Sequence, residues 1–335
     1  MTKIRTAVVG AGKMGNIHAK VYSTMPQAQF IGVCDVDKDK SKEIADRYSC
    51  QGFTDPKQLI GRVDAVTISV PTIFHLEMAE LFIKNKIAVM IEKPLAANSK
   101  QGKRIVALAE KYNVVAAVGH SERCNPVVQA MKRLNIEPKF IEATRVSPYP
   151  FRSTDIGVVL DVMIHDIDII LALAQSKILK VDAVGVNAIA DHEDICNARI
   201  TFKNGCIANI TASRLALSTV RKFRVFSKQA YLSLDYLKKE GLIIKTDQNI
   251  DIMKWIKERQ QKGDFDFTTV NWPELLHIEQ LEIGDKEPLR LEQESFLNAV
   301  LDKTKRPEVT ANEGLAALEC AEAILKSIKR NRWKE

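Results

Sequence analysis

Over the first 120 residues, short unbroken apolar runs alternate with charge-rich amphipathic stretches. The apolar runs fall at 6–9, 30–34, 65–70, 88–91 and 114–118, and helical periodicity occupies 39–48, 75–84 and 100–112. Unbroken β-branched runs predict strands covered on both faces. Their alternation with helices predicts a doubly wound parallel sheet of the α/β class.

Beyond residue 121 the rhythm changes. A nearly all-apolar helix is predicted over 157–174, followed by strands at 181–190, 197–202, 207–212, 223–227 and 230–234. Asn204-Gly205 between the second and third of these predicts a tight hairpin. Consecutive strands without intervening helices predict an antiparallel or mixed sheet, the α+β pattern. Two helices over 292–328 are split at Lys305-Arg306-Pro307. The division into domains is therefore expected near residue 120, giving 1–120 and 121–335. Residues 247–275 mix charge with Trp255, Phe265, Phe267 and Trp272 without a dominant period. They read either as an insertion covering a site or partner, or as a surface excursion.

Composition removes several function classes. With 335 residues and 46% hydrophobic content the chain can build two cores. It contains no run of the ~20 apolar residues that a membrane span needs. Its start runs directly into an apolar strand, so no signal peptide is expected. Six scattered cysteines lack CxxC spacing and read as reduced thiols of a cytoplasmic protein. The net charge of +7 comes with no basic stripe interleaved with aromatics, which argues against nucleic acid. An anionic cofactor or substrate accounts for part of it.

Gly10-Ala11-Gly12-Lys13-Met14-Gly15 follows the first strand and opens a helical segment. In this context the glycines permit a tight turn, close approach of a pyrophosphate and close helix–strand packing. The helix N-terminus then holds the phosphates. Twenty residues after Gly15, Asp35 ends the second strand. A carboxylate there accepts hydrogen bonds from ribose hydroxyls and repels a 2′-phosphate, favouring NAD over NADP. Asp37 reads as a turn residue, and Lys38 and Lys40 follow closely. Pro71, Thr72 and His75 follow the fourth strand, and Glu92, Lys93 and Pro94 the fifth. Both positions lie at carboxyl ends of parallel strands, where open sheets bind ligands. From the residues alone, Lys93 is equally well a surface lysine.

The predicted helix 157–174 carries Asp161, His165 and Asp168. At about 100° per residue these three fall within roughly 60° of one another, while Asp166 points elsewhere, to solvent or a cap. Ionisable groups on an apolar helix are costly unless paired or used. The stripe is thus either chemistry, with His165 as general base, or a structural network. No further ligand cluster with suitable spacing stands beside it, so no metal is expected.

Together, AVVGAGKMG at 7–15, CDVD at 34–37, SVPTIFH at 69–75, EKP at 92–94 and DVMIHDID at 161–168 resemble the Gfo/Idh/MocA oxidoreductase family. The resemblance implies a Rossmann domain followed by an α+β domain with an open-faced sheet that often forms dimers or tetramers. It makes Lys93 the residue that orders substrate hydroxyl and nicotinamide, His165 the acid/base and Asp161 its neighbour at the substrate. It also implies a cis Lys93–Pro94 peptide. VGHSERCNP at 118–126 and RSTDIGVVLDVMIHDID at 152–168 resemble members that oxidise the 3-hydroxyl of UDP-N-acetylglucosamine ahead of an aminotransferase. A diphosphate substrate would call for arginine, and Arg123, Arg145, Arg152 and Arg214 are the candidates, with His120 near the sugar. Cys124 departs from the aromatic residue often found there. The alternatives are an inositol-type polyol dehydrogenase and a non-catalytic dinucleotide-binding regulator. The presence of both Lys93 and His165 weighs against the regulator.

Overall fold

The computed structural model describes residues 3–149, 156–245, 250–262 and 276–331. They form two compact units, one of residues 1–125 with 286–323, the other of 126–285 with 324–335. A single division near residue 120 therefore does not capture the organisation. Residues 286–323 pack with the amino-terminal unit because their apolar side chains enter its core. Leu289, Phe296 and Leu297 are buried there with Val8, Tyr22 and Val33.

The first unit is a six-stranded parallel sheet. Its strands are β1 (Ile4–Val9), β2 (Ala28–Cys34), β3 (Gln51–Phe53), β4 (Ala65–Ile68), β5 (Ala88–Glu92) and β6 (Ala116–Gly119), in the order β3-β2-β1-β4-β5-β6. That is the doubly wound dinucleotide-binding order, with a crevice where strand order reverses at β1 and β4. Helices α1 (Lys13–Thr24), α2 (Lys38–Arg47), α3 (His75–Lys84) and α4 (Ser99–Tyr112) connect the strands. Val66, Ile68, Val89, Met90 and Ile91 are completely buried, as the unbroken apolar runs predict. Burying each such side chain contributes about 1.5–3 kcal/mol. Asp37, read as a turn residue, caps α2 by accepting from the N–H groups of Asp39 at 3.0 Å and Lys40 at 3.2 Å.

The second unit begins with α5 (Pro126–Lys132) and β7 (Phe140–Val146). A π-helical turn (Val159–Met163) leads into α6 (Ile164–Ala174). Strands β8 (Ile178–Val186), β9 (Ile195–Phe202), β10 (Ile207–Ser213), β11 (Val220–Phe226), β12 (Ala230–Asp235) and β13 (Glu240–Lys245) follow. After α7 (Ile250–Lys262), β14 (Ile278–Gln280) completes an eight-stranded sheet in the order β14-β13-β12-β11-β7-β10-β9-β8. All its pairings are antiparallel except β7 with β10. The Asn204-Gly205 hairpin joins β9 to β10, with Gly205 at φ +83°. Alternate residues of β7, β9 and β12 are buried on one face. Two helices close the chain, α8 (Pro288–Leu301) and α9 (Ala311–Arg330). Of the segment 247–275, residues 247–249 and 263–275 lie outside the described residues, and 250–262 form α7.

Candidate active site

The cofactor end is built largely from backbone. Gly10 adopts φ +103°, and a Cβ there would strike the carbonyl of Ser69. A Cβ on Gly15 would strike the carbonyl oxygen of Gly10, so α1 approaches β1 as closely as it does only with glycine at 15. Above Gly12 nothing lies within 4 Å. Gly12 also begins α1 without a side-chain cap, and the first turn, with Lys13 and Met14, carries no acid. Exposed N–H groups and the positive dipole end thus face open space.

That space is a cavity of about 960 Å³ at the carboxyl ends of β1, β2 and β4, lined by Gly10, Gly12, Asp35, Val36, Ser69, Pro71 and Phe74 among others. Asp35 spans the turn: one carboxylate oxygen accepts from Ala11 N–H at 2.6 Å, the other from Asp37 N–H at 2.9 Å. A glycine cradle, a free helix end and a carboxylate at the second strand's end fit the pyrophosphate and ribose of a dinucleotide.

At the neighbouring strand ends, Pro71 and Thr72 enter a short 3₁₀ turn, Thr72–Phe74, that leads into α3. Lys93 follows β5, is half-buried and joins Pro94 through a cis peptide bond, as the resemblance implies. His75, expected to meet cofactor, is instead a buried brace behind this rim. Its Nδ1 lies 3.0 Å from the Pro94 carbonyl and its Nε2 3.0 Å from that of Val70. Burial holds its pKa below the ordinary imidazole value, against the opposing pull of those carbonyls. Glu92 is held below the usual carboxylate range. Desolvation pushes it upward, but the hydrogen bond to His18 and the neighbouring Lys93 outweigh that push.

His120 and Arg123, expected at the substrate, are both buried. Arg123 reaches Glu313 at 3.4 Å within the same unit. Buried and engaged with Glu313, Arg123 is a support for the 3₁₀ turn Ser121–Cys124 after β6. Arg152 lies outside the described residues.

In the second unit the expected stripe divides. Asp161 and His165 are half-buried, whereas Asp168 is buried. Asp168 lies about 60° around α6 from His165, and residues 159–163 form a π turn, with Ile164 N–H donating to the Val159 carbonyl, which shifts the phase of Asp161 relative to α6. Such wider turns recur at functional sites. Asp166 does not face solvent: it is 2% exposed and forms a bidentate pair with Arg145, at 2.9 Å and 2.8 Å. Arg145 also lies 5.9 Å over the Tyr236 ring. A charge inside an apolar helix needs a partner, and Asp166 finds one across 21 residues of chain.

The start of this helix is anchored from the β8–β9 connection. The backbone carbonyl of Glu193 accepts from Val158 N–H at 2.9 Å, and its side chain from Val159 N–H at 3.2 Å. A Cβ on Gly157 would overlap the Glu193 carboxylate. Beside it, Asp194 accepts from Arg214 Nε at 2.7 Å and from the N–H groups of Ala188, Ile189 and Ala190. Burial raises the Asp194 carboxyl, but these bonds outweigh it and bring its pKa down to about 2. Arg214 donates further to the Ile156 carbonyl at 3.0 Å. Arg145 and Arg214, candidates for a diphosphate, are therefore committed to buried carboxylates.

Sequence reading missed His18, Gln293, Glu193 and Asp194, whose partners lie far away in sequence. For Asp166 the signal was present, an acid on a helix apolar all round.

Comparison with known proteins agrees with both units. Residues 4–120 match the Gfo/Idh/MocA oxidoreductase family model, described as an NAD-binding Rossmann fold, and residues 139–233 match the family's carboxyl-terminal domain. The chain is 35% identical to the UDP-N-acetylglucosamine 3-dehydrogenase of Acidithiobacillus ferrooxidans, over 71% of this chain and 75% of that one. A solved structure of that dehydrogenase superposes with a TM-score of 0.86 at 29% identity, covering 98% of this chain and 99% of the other. An inositol 2-dehydrogenase of Rhizobium meliloti is 24% identical over 98% of each chain.

Proposed function

The chain belongs to the Gfo/Idh/MocA family of NAD-binding oxidoreductases, and within it we propose that it oxidises the 3-hydroxyl of UDP-N-acetylglucosamine to the 3-keto sugar. One observation carries this reading: an otherwise buried helix leaves only Asp161, His165 and two apolar neighbours half-exposed along 158–170. The same chain builds a dinucleotide loop after β1, and Lys93 follows β5, two strands along the same sheet. Likeness to the UDP-N-acetylglucosamine enzyme supports the choice of sugar.

Bound NAD would supply the hydride acceptor for the sugar carbon. Gly10, Gly12, Lys13, Met14 and Gly15 hold its pyrophosphate, and Asp35 accepts from the adenosine ribose hydroxyls, favouring NAD over NADP. The residues of this chain do the rest. Lys93 donates to the reacting hydroxyl oxygen and keeps it oriented as its proton leaves. His165 takes that proton at a ring nitrogen, a task suited to an imidazole of ordinary pKa about 6.5. Asp161 orients the sugar beside it. The product is a 3-keto sugar, ready for an aminotransferase. Copies of the chain associate through the outer face of the eight-stranded sheet. There Phe140, Phe226 and Tyr231 pack as tilted ring pairs at centroid distances of 5.8 Å and 4.8 Å.

The test is a substrate panel with NAD, read as NADH absorbance. Turnover with UDP-N-acetylglucosamine, with free inositols unreactive, is the expected result. Turnover confined to inositols would move the assignment to a polyol dehydrogenase, the reading favoured by the full-length similarity to the inositol enzyme. No turnover with either class would overturn the catalytic reading.

A further inference from the structure

Behind Lys93 lies a buried polar array that the mechanism does not use. His18 on α1 is completely buried, as is Gln293 on α8. The His18 Nε2 lies 2.7 Å from a carboxylate oxygen of Glu92, the last residue of β5 and the neighbour of Lys93. On the other side of the ring, the Gln293 side-chain nitrogen lies 2.8 Å from Nδ1 and 3.4 Å from the His18 carbonyl. With its nitrogen on this side, the amide N–H₂ can donate both to Nδ1 and to the His18 carbonyl. In that arrangement Nδ1 accepts, and Nε2 donates to Glu92.

The surroundings preserve this geometry. Across the sheet from Glu92 stands Gly119, where a Cβ would come within 3.0 Å of the carboxylate. His18 lies one turn along α1 from Gly15, on the helix whose start faces the dinucleotide cavity. An apolar side chain would fill the same volume without the desolvation cost of three polar groups. The array therefore has a use beyond packing.

We propose that His18 is a positioning residue for Lys93, acting through the Glu92 carboxylate, with Gln293 selecting the ring tautomer that donates. The proposal rests on the reading of Lys93 as the group that orders the substrate hydroxyl. The bond from α1 fixes the end of β5, and with it the backbone from which Lys93 projects. It thereby ties the helix that meets the pyrophosphate to the lysine that meets the substrate. The titratable groups acting on Glu92 are His18 from α1, Lys93 beside it, and His75 from α3, whose own titration feels the Glu92 charge.

The sign of the effect follows from linkage. In the native chain His18 helps hold Glu92 ionised against its desolvation. Without His18 that desolvation acts with less opposition, and Glu92 takes up a proton at higher pH. His18→Leu should lower kcat roughly ten- to hundredfold, as expected for a displaced reactive group. Its NAD Kd should stay within about threefold, since uniform binding is untouched. The acidic limb of its kcat profile should move up by roughly one pH unit. His18→Gln, which keeps a donor toward Glu92, should recover most of kcat and return the limb toward its native position. Gln293→Leu should shift the limb in the same direction as His18→Leu, by less.

A turnover-free arm covers the case in which the substrate is misassigned. The melting-temperature deficit of His18→Leu should be largest near neutral pH and shrink as native Glu92 protonates in the acid range. A deficit flat across pH, or an unshifted acidic limb with kcat lowered equally at every pH, would reduce His18 to a packing residue and overturn the proposal. Native turnover in Lys93→Met would instead overturn the underlying reading of Lys93, whatever the melting arm shows for His18 and Glu92.

Discussion

The dinucleotide loop of the first unit and the helix start of the second both hold polar groups ready inside a packed unit, by different means. Around Gly10–Gly15 the means is the absence of side chains: Gly15 lets α1 meet the Gly10 carbonyl, and Gly12 opens onto the cavity. Around 157–166 the means is side chains from far along the chain. Glu193 holds the first N–H groups, and Arg145 neutralises Asp166. The first arrangement is local and tolerates changes elsewhere. The second depends on several distant partners at once and is correspondingly easier to break.

The sharpest separation of the two regions is His165→Ala. Removal of a general base should lower turnover by roughly 10²–10⁴-fold, while NAD titration, which reports only the first region, stays near its native value. Equal turnover would remove His165 from the chemistry. Next in size is Asp166→Ala, which leaves the buried Arg145 charge without its bidentate partner. Breaking a buried pair in this way costs about 3–5 kcal/mol, seen as a fall in melting temperature and in denaturant midpoint. A variant as stable as the native chain would show that the pair is dispensable.

How much of this contrast the sequence disclosed follows from the same difference. The glycine loop, Asp35, the Glu92-Lys93-Pro94 turn and the Asn204-Gly205 hairpin are local signals, because each depends on what a few consecutive residues can do. Strand β7 escaped notice because its inward positions are Ile141, Ala143 and Arg145. A small residue and a charge there blur the apolar alternation. The π turn carries no compositional mark within Val159–Met163, so a uniform phase runs from Asp161 into α6 in the sequence reading, and the 60° between His165 and Asp168 is enough to bury one and not the other. Arg145 and Arg214 looked like ligands for a diphosphate because nothing near them in sequence reveals Asp166 or Asp194. Likewise, only folding shows that Gln293 reaches His18.

Smaller effects sharpen the comparison further. Asp35→Ala should weaken NAD binding and raise the relative use of NADP, since the carboxylate that repels a 2′-phosphate is gone. An unchanged preference, measured by titration with both cofactors, would assign Asp35 only to bracing the Ala11 and Asp37 N–H groups. In the second region, Asp194 has a native pKa of about 2, below its ordinary value of 3.8. Its contribution to stability is present above that ordinary value and is lost as pH falls from 3.8 toward 2. Asp194→Asn should thus show a smaller dependence of melting temperature on pH across that interval. A slope equal to the native one would contradict the pairing with Arg214.

The most direct test of the whole account follows the hydrogen at the reacting carbon. UDP-N-acetylglucosamine carrying deuterium at C3 is mixed with the enzyme and NAD, and the reduced cofactor is examined by mass spectrometry. The account predicts deuterium on the nicotinamide ring and slower single-turnover reduction than with the unlabelled sugar. Reduced cofactor without the label, or label retained at C3 of the oxidised product, would contradict oxidation at the 3-hydroxyl.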